Sequence, residues 1–333
     1  MTASQTIPGK LLEWYDRNAR ALPWRVPPGA KDIGSAADPY RVWLSEIMLQ
    51  QTTTAHAAPY FTAFSERWPT IEALAAAPEE QVMAAWAGLG YYTRARNLIA
   101  CARAVAELGG FPDSEAELRK LPGLGAYTAA AVAAIAFGKR AVVIDANVER
   151  VVARLFAIDE PLPGARKALR AAAEAITPHA RAGDFAQAMM DLGATICTPR
   201  DPKCLLCPLA ADCTGRAQGD PGRFPVKAPK KPRPSRIGTA FWIERERRVW
   251  LVRRPGRGML GGMRALPSTP WRDAAWTRAE ALAHAPSAGD WRVAGAVEHV
   301  FTHFALTLEV WMLRDKRRPG ADWAAREDVT RGL

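Results

Sequence analysis

No stretch of the 333-residue chain is apolar for the ~18 residues that a membrane-crossing helix requires. The opening MTASQTIPGKLLEWYDRNAR has no charged head, apolar middle and small-residue cleavage site, so it does not read as a secretory signal. The chain is therefore read as soluble and cytosolic, without a membrane partner. Cysteine is scarce, with five residues in all, and four of them fall within residues 197–213. Cytosolic thiols stay reduced, which counts against a disulfide knot. Acidic residues are in deficit: 34 Asp and Glu stand against 45 Lys and Arg, a net charge of +11 that suits an anionic partner.

The charge is unevenly spread. Residues 224–333 carry 21 Lys and Arg against 11 Asp and Glu, whereas residues 1–223 carry 24 against 23. The two parts differ in pattern as well. Residues 9–215 are rich in Ala and Leu at helical spacing, broken at Pro and Gly, as in TIEALAAAPEEQVMAAWAGL. GDPGRFPVKAPKKPRPSR, residues 219–236, reads as a basic, proline-rich linker. Beyond it TAFWIE, RVWLVRR and HVFTHFALTLEVWML alternate as strands do. The expectation is a mostly α domain over 1–218, a linker over 219–236, and an α/β or mostly β domain over 237–333.

The cysteine spacing is C-x6-C-x2-C-x5-C, from Cys197, Cys204, Cys207 and Cys213. Structural zinc sites draw two close pairs from separated knuckles. One C-x-x-C with wider flanks in a single loop fits a compact iron–sulfur cluster better, by a modest margin. Arg200 and Lys203 lie inside this loop, either solvated or poised for phosphate. Cys101, in NLIACARAVAEL, reads as a small buried hydrophobe.

Residues 114–138 read as helix, hairpin, helix: ELRKLPG, then GLGAYTAAAVAAIAFG. Gly123 and Gly125 permit a tight turn whose bare amides, at a helix N-terminus, can meet phosphate; many helices are joined by such turns with no ligand. In VVIDANVERV, Asp145 stands where a helix begins. An aspartate there caps orphan amides, and the same anchored carboxylate can face a developing cation. In DPYRVWLSEIMLQQTTTAH, Trp43, Leu44, Ile47 and Met48 form an apolar face with Glu46 at its edge. A carboxyl at such an edge can keep its proton and act as a general acid; an ordinary surface acid is the plainer reading. A buried glutamine needs partners, so the helix is expected to end near Gln50, with Gln51 exposed at a tip.

SEIMLQQT, GLGYYTRARNL, LPGLGAYTA with IDANV, and the cysteine loop occur together and in order over residues 9–216. In combination they resemble the endonuclease III superfamily of DNA glycosylases, and within it the adenine DNA glycosylases of the MutY type. The resemblance implies one four-iron, four-sulfur cluster on the four cysteines and no nucleotide cofactor. It implies a substrate of double-stranded DNA holding adenine opposite 8-oxoguanine or guanine, and a monomer acting in the bacterial cytoplasm on nucleoid DNA. Glu46 matches the acid that protonates the extruded adenine at N7, and Asp145 the carboxylate that stabilises the oxocarbenium-like sugar, with Tyr127 and Asn147 in support. Arg25 and Gln187 match adenine-pocket positions, and Gln51 and Tyr91 match residues that wedge into the vacated stack. Relatives that also cut the strand carry a lysine where this chain has Tyr127. Tyrosine cannot form a Schiff base, so base removal without strand cutting is expected.

Residues 237–333 resemble the Nudix-like C-terminal domain of that family. They lack the R-E-x-x-E-E helix that would hold magnesium, which counts against hydrolase activity. The family's 8-oxoguanine loop, Phe-Ser-His, is matched by Phe301, Thr302 and His303, with a methyl added at Thr302. The resemblance leads one to expect the family's final helix to run beyond REDVTRGL. Three other readings stand beside this one: an endonuclease III-like glycosylase and lyase for damaged pyrimidines, a non-catalytic iron–sulfur DNA-binding or redox-signalling protein that uses the cluster for electron transfer, and a zinc-bound scaffold.

Overall fold

The computed structural model describes residues 6–28, 37–229, 232–255, 261–301, 303–314 and 322–331. The chain divides into two compact units, Met1–Ala228 and Pro229–Leu333.

The first unit is helical: α1 (Ile7–Asn18), α2 (Pro39–Met48), α3 (Thr54–Arg67), α4 (Ile71–Ala76), α5 (Glu79–Ala85), α6 (Thr93–Glu107), α7 (Glu115–Leu118), α8 (Ala126–Ile135), α9 (Ala146–Leu155), α10 (Arg166–Ile176), α11 (Ala182–Thr195) and α12 (Thr214–Ala217). Side chains of Thr6, Asp38, Thr53, Thr70, Ser114 and Asp145 accept the free amides at six of these starts. These are the residue types that cap helices, because a short oxygen-bearing side chain reaches the second or third amide. Trp43, Phe61, Phe64 and Trp86 are fully buried, and each contributes on the order of 2–3 kcal/mol by leaving water. Cys101 lies in the same core.

The alanine-rich α8 is buried from Thr128 to Ile135. Its small side chains let α11 come close. A Cβ on Gly183 would stand 2.4 Å from the Ala134 carbonyl oxygen, and one on Gly193 would stand 2.6 Å from Asn147 Cβ. Two glycines in α11 thus set its distance from α8 and from the start of α9. In the hairpin between α7 and α8, Gly123 adopts φ 77°, a left-handed conformation that glycine takes without steric cost. Gly125 does not: it caps α8 in extended conformation.

The stretch read as a linker is shorter than its composition implies. Phe224 is 2% exposed in the first unit's core. The Leu162 amide donates to the Val226 carbonyl, and the first strand of the second unit already begins at Ser235. One aromatic anchor, Phe224, outweighs the extended-chain preference of its proline neighbours.

The second unit is a mixed sheet of β1 (Ser235–Arg245), β2 (Arg248–Arg253), β3 (Arg264–Ala265), β4 (Arg292–Val300), β5 (Ala305–Arg314) and β6 (Asp322–Ala325), with helices α13 (Arg278–Ala283) and α14 (Arg326–Arg331). The strand order is β3-β2-β1-β5-β4, with β6 also on β2. β1 runs parallel to β5 from Ser235 against Ala305 to Glu244 against Arg314. HVFTHFALTLEVWML, read as one strand, is the end of β4, a tight turn and β5; the Phe301 amide donates to the Phe304 carbonyl across that turn. No glycine, proline or asparagine marks the reversal, because aromatic packing holds it instead. The single acid on α13, Glu280, closes a capping box with Thr277 and pairs with Arg272 at 2.7 Å. It is committed within the protein, and this helix offers no further carboxylate to a metal.

Candidate active site

A cleft of about 860 Å³ opens in the first unit. The C-terminal half of α2 brings Glu46, and the hairpin brings Gly123, Gly125 and Tyr127. The start of α9 brings Asp145 and Asn147, α11 brings Gln187, and the segment after α1 brings Arg25; all line this one space, together with Gln51. Residues up to about 160 positions apart in sequence thus converge. Tyr91, Arg200 and Lys203 do not line the cleft: Tyr91 is 54% exposed just before α6, and the other two are exposed on the cysteine loop.

Asp145 is the N-cap of α9. Its Oδ1 accepts from the Val148 amide at 2.7 Å and its Oδ2 from Asn147 Nδ2 at 2.8 Å. Asn147 is fixed in turn by Arg150, whose Nη2 donates to Asn147 Oδ1 at 2.9 Å and to the Gly193 carbonyl at 2.6 Å. The carboxylate is therefore locked in one orientation with both oxygens engaged.

Glu46 is more enclosed than its place at the edge of an apolar face suggests, at 5% exposure. Val42 and Leu49 line the cleft beside it. Burial pushes its carboxyl up to about 7; the Tyr127 hydrogen bond opposes this, nearby Asp145 adds to it and Arg25 opposes it. One oxygen, Oε2, is buried with no hydrogen-bond partner. A buried polar atom without a partner costs about 1–3 kcal/mol, a cost that fits an atom kept for a substrate.

Arg25 reaches Asp191 at 2.6 Å, and Arg20 reaches the other oxygen of Asp191 at 2.5 Å. Asp191 is wholly buried. The sequence reading missed it, although in FAQAMMDLG it lies four residues after Gln187, on the same face of α11. It orients Arg25 toward the cleft by satisfying the guanidinium from behind.

The four loop cysteines are free thiols and line one small void of about 30 Å³ with Arg154. Arg154 Nη1 lies 3.3 Å from Cys197 Sγ, and its other donors hold the carbonyls of Thr198, Pro199 and Phe224. Four thiols ranged round one void are a donor set that suits an iron–sulfur cluster, as they would a zinc ion.

In the second unit Phe301 stacks on Trp271, with ring centroids 6.4 Å apart and planes 22° from parallel. His299 packs on Phe301 at 4.4 Å, and His303 is exposed. Thr302 lies outside the described residues.

Comparison with known proteins gives the lineage. Residues 44–178 match the HhH-GPD superfamily of base excision DNA repair proteins, and residues 239–331 match the NUDIX domain. The human adenine DNA glycosylase is 36% identical over a gapped alignment 385 positions long, which spans 96% of this chain and 70% of that one. The chain belongs to the adenine DNA glycosylases. Another adenine DNA glycosylase, from Mycolicibacterium smegmatis, is 42% identical over 64% of this chain and 71% of its own. Among solved structures, a thermostable thymine-DNA glycosylase superposes with a TM-score of 0.56 at 32% identity, over 63% of this chain and 95% of that one. The endonuclease III of a trapped DNA covalent intermediate, at 24% identity and a TM-score of 0.51, shares the fold. This adenine DNA glycosylase is thus an enzyme of base excision repair, built as a helical glycosylase domain followed by a Nudix-like domain.

Proposed function

We propose that this adenine DNA glycosylase hydrolyses the N-glycosidic bond of adenine mispaired with 8-oxoguanine or guanine in double-stranded DNA, and leaves the strand uncut. The observation that carries this reading is the pairing of two unlike carboxyls on one cleft. Glu46 is buried and keeps its proton up to about pH 7, whereas Asp145 is a helix cap with both oxygens engaged.

The adenine, turned out of the stack, enters the cleft with N7 toward the unpartnered Oε2 of Glu46. Glu46 gives its proton to N7. The bond between C1′ and N9 breaks, its electron pair leaves with the base, and the sugar gathers positive charge. Asp145 faces that charge; Asn147 and the Val148 amide hold it still. Water then adds to C1′ and passes its proton to the Glu46 carboxylate, which restores the acid and leaves an abasic site. Arg25, set by Asp191, and Gln187 hold the adenine edge. Tyr127 carries a phenol where a Schiff base would need an amine, so the abasic sugar stays in the strand without β-elimination. Gln51 and Tyr91 enter the gap in the stack. Gly123 and Gly125, with the exposed Arg200 and Lys203, bind backbone phosphate.

Cys197, Cys204, Cys207 and Cys213 would hold one four-iron, four-sulfur cluster, which supplies a cross-link that pins the loop. Phe301, backed by Trp271, with Thr302 and His303, tests the base opposite the adenine.

Base release is to be measured on duplexes with adenine opposite 8-oxoguanine, guanine or thymine, with and without alkali. Product from the first two, visible only after alkali, is expected. Strand cuts without alkali, a covalent adduct on borohydride treatment, or pyrimidine-lesion release in place of adenine would refute the reading.

A further inference from the structure

Arg94, near the start of α6, is 9% exposed and contacts two loops at once. Its Nη1 donates to the carbonyls of Ile47 at 3.1 Å and Met48 at 3.0 Å, at the end of α2. Its Nη2 donates to the Leu89 carbonyl at 2.8 Å and lies 3.3 Å from Thr52 Oγ1. The guanidinium lies 5.2 Å from the Trp86 ring centroid and 5.5 Å from that of Tyr91. The last carbonyls of a helix have no partner within it, and here one planar fork satisfies two of them while gripping the neighbouring loop.

Each gripped loop ends in a residue that backbone sterics disfavour. Gln51, two residues after α2's C-cap, has φ 56°, and Tyr91, just after Gly90, has φ 50°. Both are exposed. Non-glycine residues hold the left-handed region only where surrounding contacts over-determine it. Arg94 supplies contacts on both sides, and Trp86 Nε1 adds one to the Gly90 carbonyl at 3.0 Å.

We infer that Arg94 is a positioning residue whose guanidinium fixes the spacing between the Gln51 and Tyr91 tips, so that the two enter the duplex as one unit. This rests on the reading of those tips as wedges. Lysine has the charge but not the planar fork, and one ammonium cannot serve both loops.

The test uses the full-length, cluster-loaded Glu46→Gln protein, which holds uncleaved substrate, with 2-aminopurine at the target position opposite 8-oxoguanine. With Arg94 intact, binding should raise the 2-aminopurine emission. Adding Arg94→Lys should leave duplex binding measurable but cut the emission rise by about tenfold, the scale of breaking a shared hydrogen-bond network. A full emission rise with Arg94→Lys would overturn the inference while leaving the wedge reading intact. No rise with Arg94 in place would overturn the wedge reading and the inference with it. Should Arg94→Lys not fold, a cycle of the exposed Gln51→Ala, Tyr91→Ala and their combination decides. The double variant should lose little more emission than either single one, whereas multiplicative losses would overturn the inference.

Discussion

Tyr127 hydrogen-bonds the carboxyl of Glu46 through its hydroxyl, which favours the ionised acid against the effect of burial and of Asp145. Burial is the largest influence, and Glu46 ends at about 7. Removing the hydroxyl with Tyr127→Phe should therefore raise the acid further. The alkaline limb of the single-turnover excision rate, expected near pH 7 in the wild type, should move to higher pH. A downward move would show that Tyr127 supports the site in some other way.

Glu46→Gln should lower excision by about 10³-fold, the usual range for a lost general acid, with duplex binding retained. The same substitution should reveal the cost of burying the acid. Glu46 titrates at a higher pH in the folded chain than in the unfolded one, so the native state holds the extra proton between about pH 4.5 and 7. Stability is complete below the lower value and is lost as pH rises through the upper one, by on the order of 3 kcal/mol. Denaturation curves should show the variant more stable than wild type at pH 8, with the gap narrowing toward pH 4.

Asp145→Asn and Asp145→Ala separate the cap from the charge. Asparagine caps as well as aspartate, whereas alanine costs about 1 kcal/mol. Both variants should lose excision; asparagine keeps the Val148 cap but sets an amide donor against Asn147 Nδ2, so it should melt slightly earlier than wild type and alanine earlier still. Substantial excision by the asparagine variant would show that the anion is dispensable.

Gly193→Ala acts from behind the site. Its Cβ would stand 2.6 Å from Asn147 Cβ and 3.1 Å from the Asn147 backbone. The start of α9, with Asp145, must shift to admit it. Excision should fall, with a stability loss of about 1–3 kcal/mol typical of overpacking. An unchanged rate would mean that the cap tolerates displacement.

Asp191→Asn leaves Arg20 and Arg25 short of a counter-charge at a wholly buried position. Breaking a buried pair costs about 3–5 kcal/mol. The melting temperature should drop, and the half-saturating concentration of adenine-containing duplex should rise more than the single-turnover rate falls.

Local patterns were legible where the physics is local. Asp145 as a cap, the end of α2 before Gln51, and the hairpin after Leu121 follow from residue types and spacing over a few positions. The helical and sheet-bearing halves follow from periodicity, and the motifs placed the chain in its family. The β4–β5 turn at Phe301–Phe304 was not legible, because it is held by aromatic packing rather than by turn residues. The linker was overdrawn because Phe224 finds a core that composition does not reveal.

By itself the sequence determined the helical character of the first part and the strand-bearing character of the second, the charge asymmetry and the identities of the reactive groups, since each depends on neighbours along the chain. Only the tertiary structure decided that Glu46 is buried beside Tyr127 and Asp145, that Asp191 backs Arg25, and that Arg94 joins two loops. Proton affinity and side-chain orientation are set by the dielectric and the partners around a group, and here those come from segments far apart in the chain.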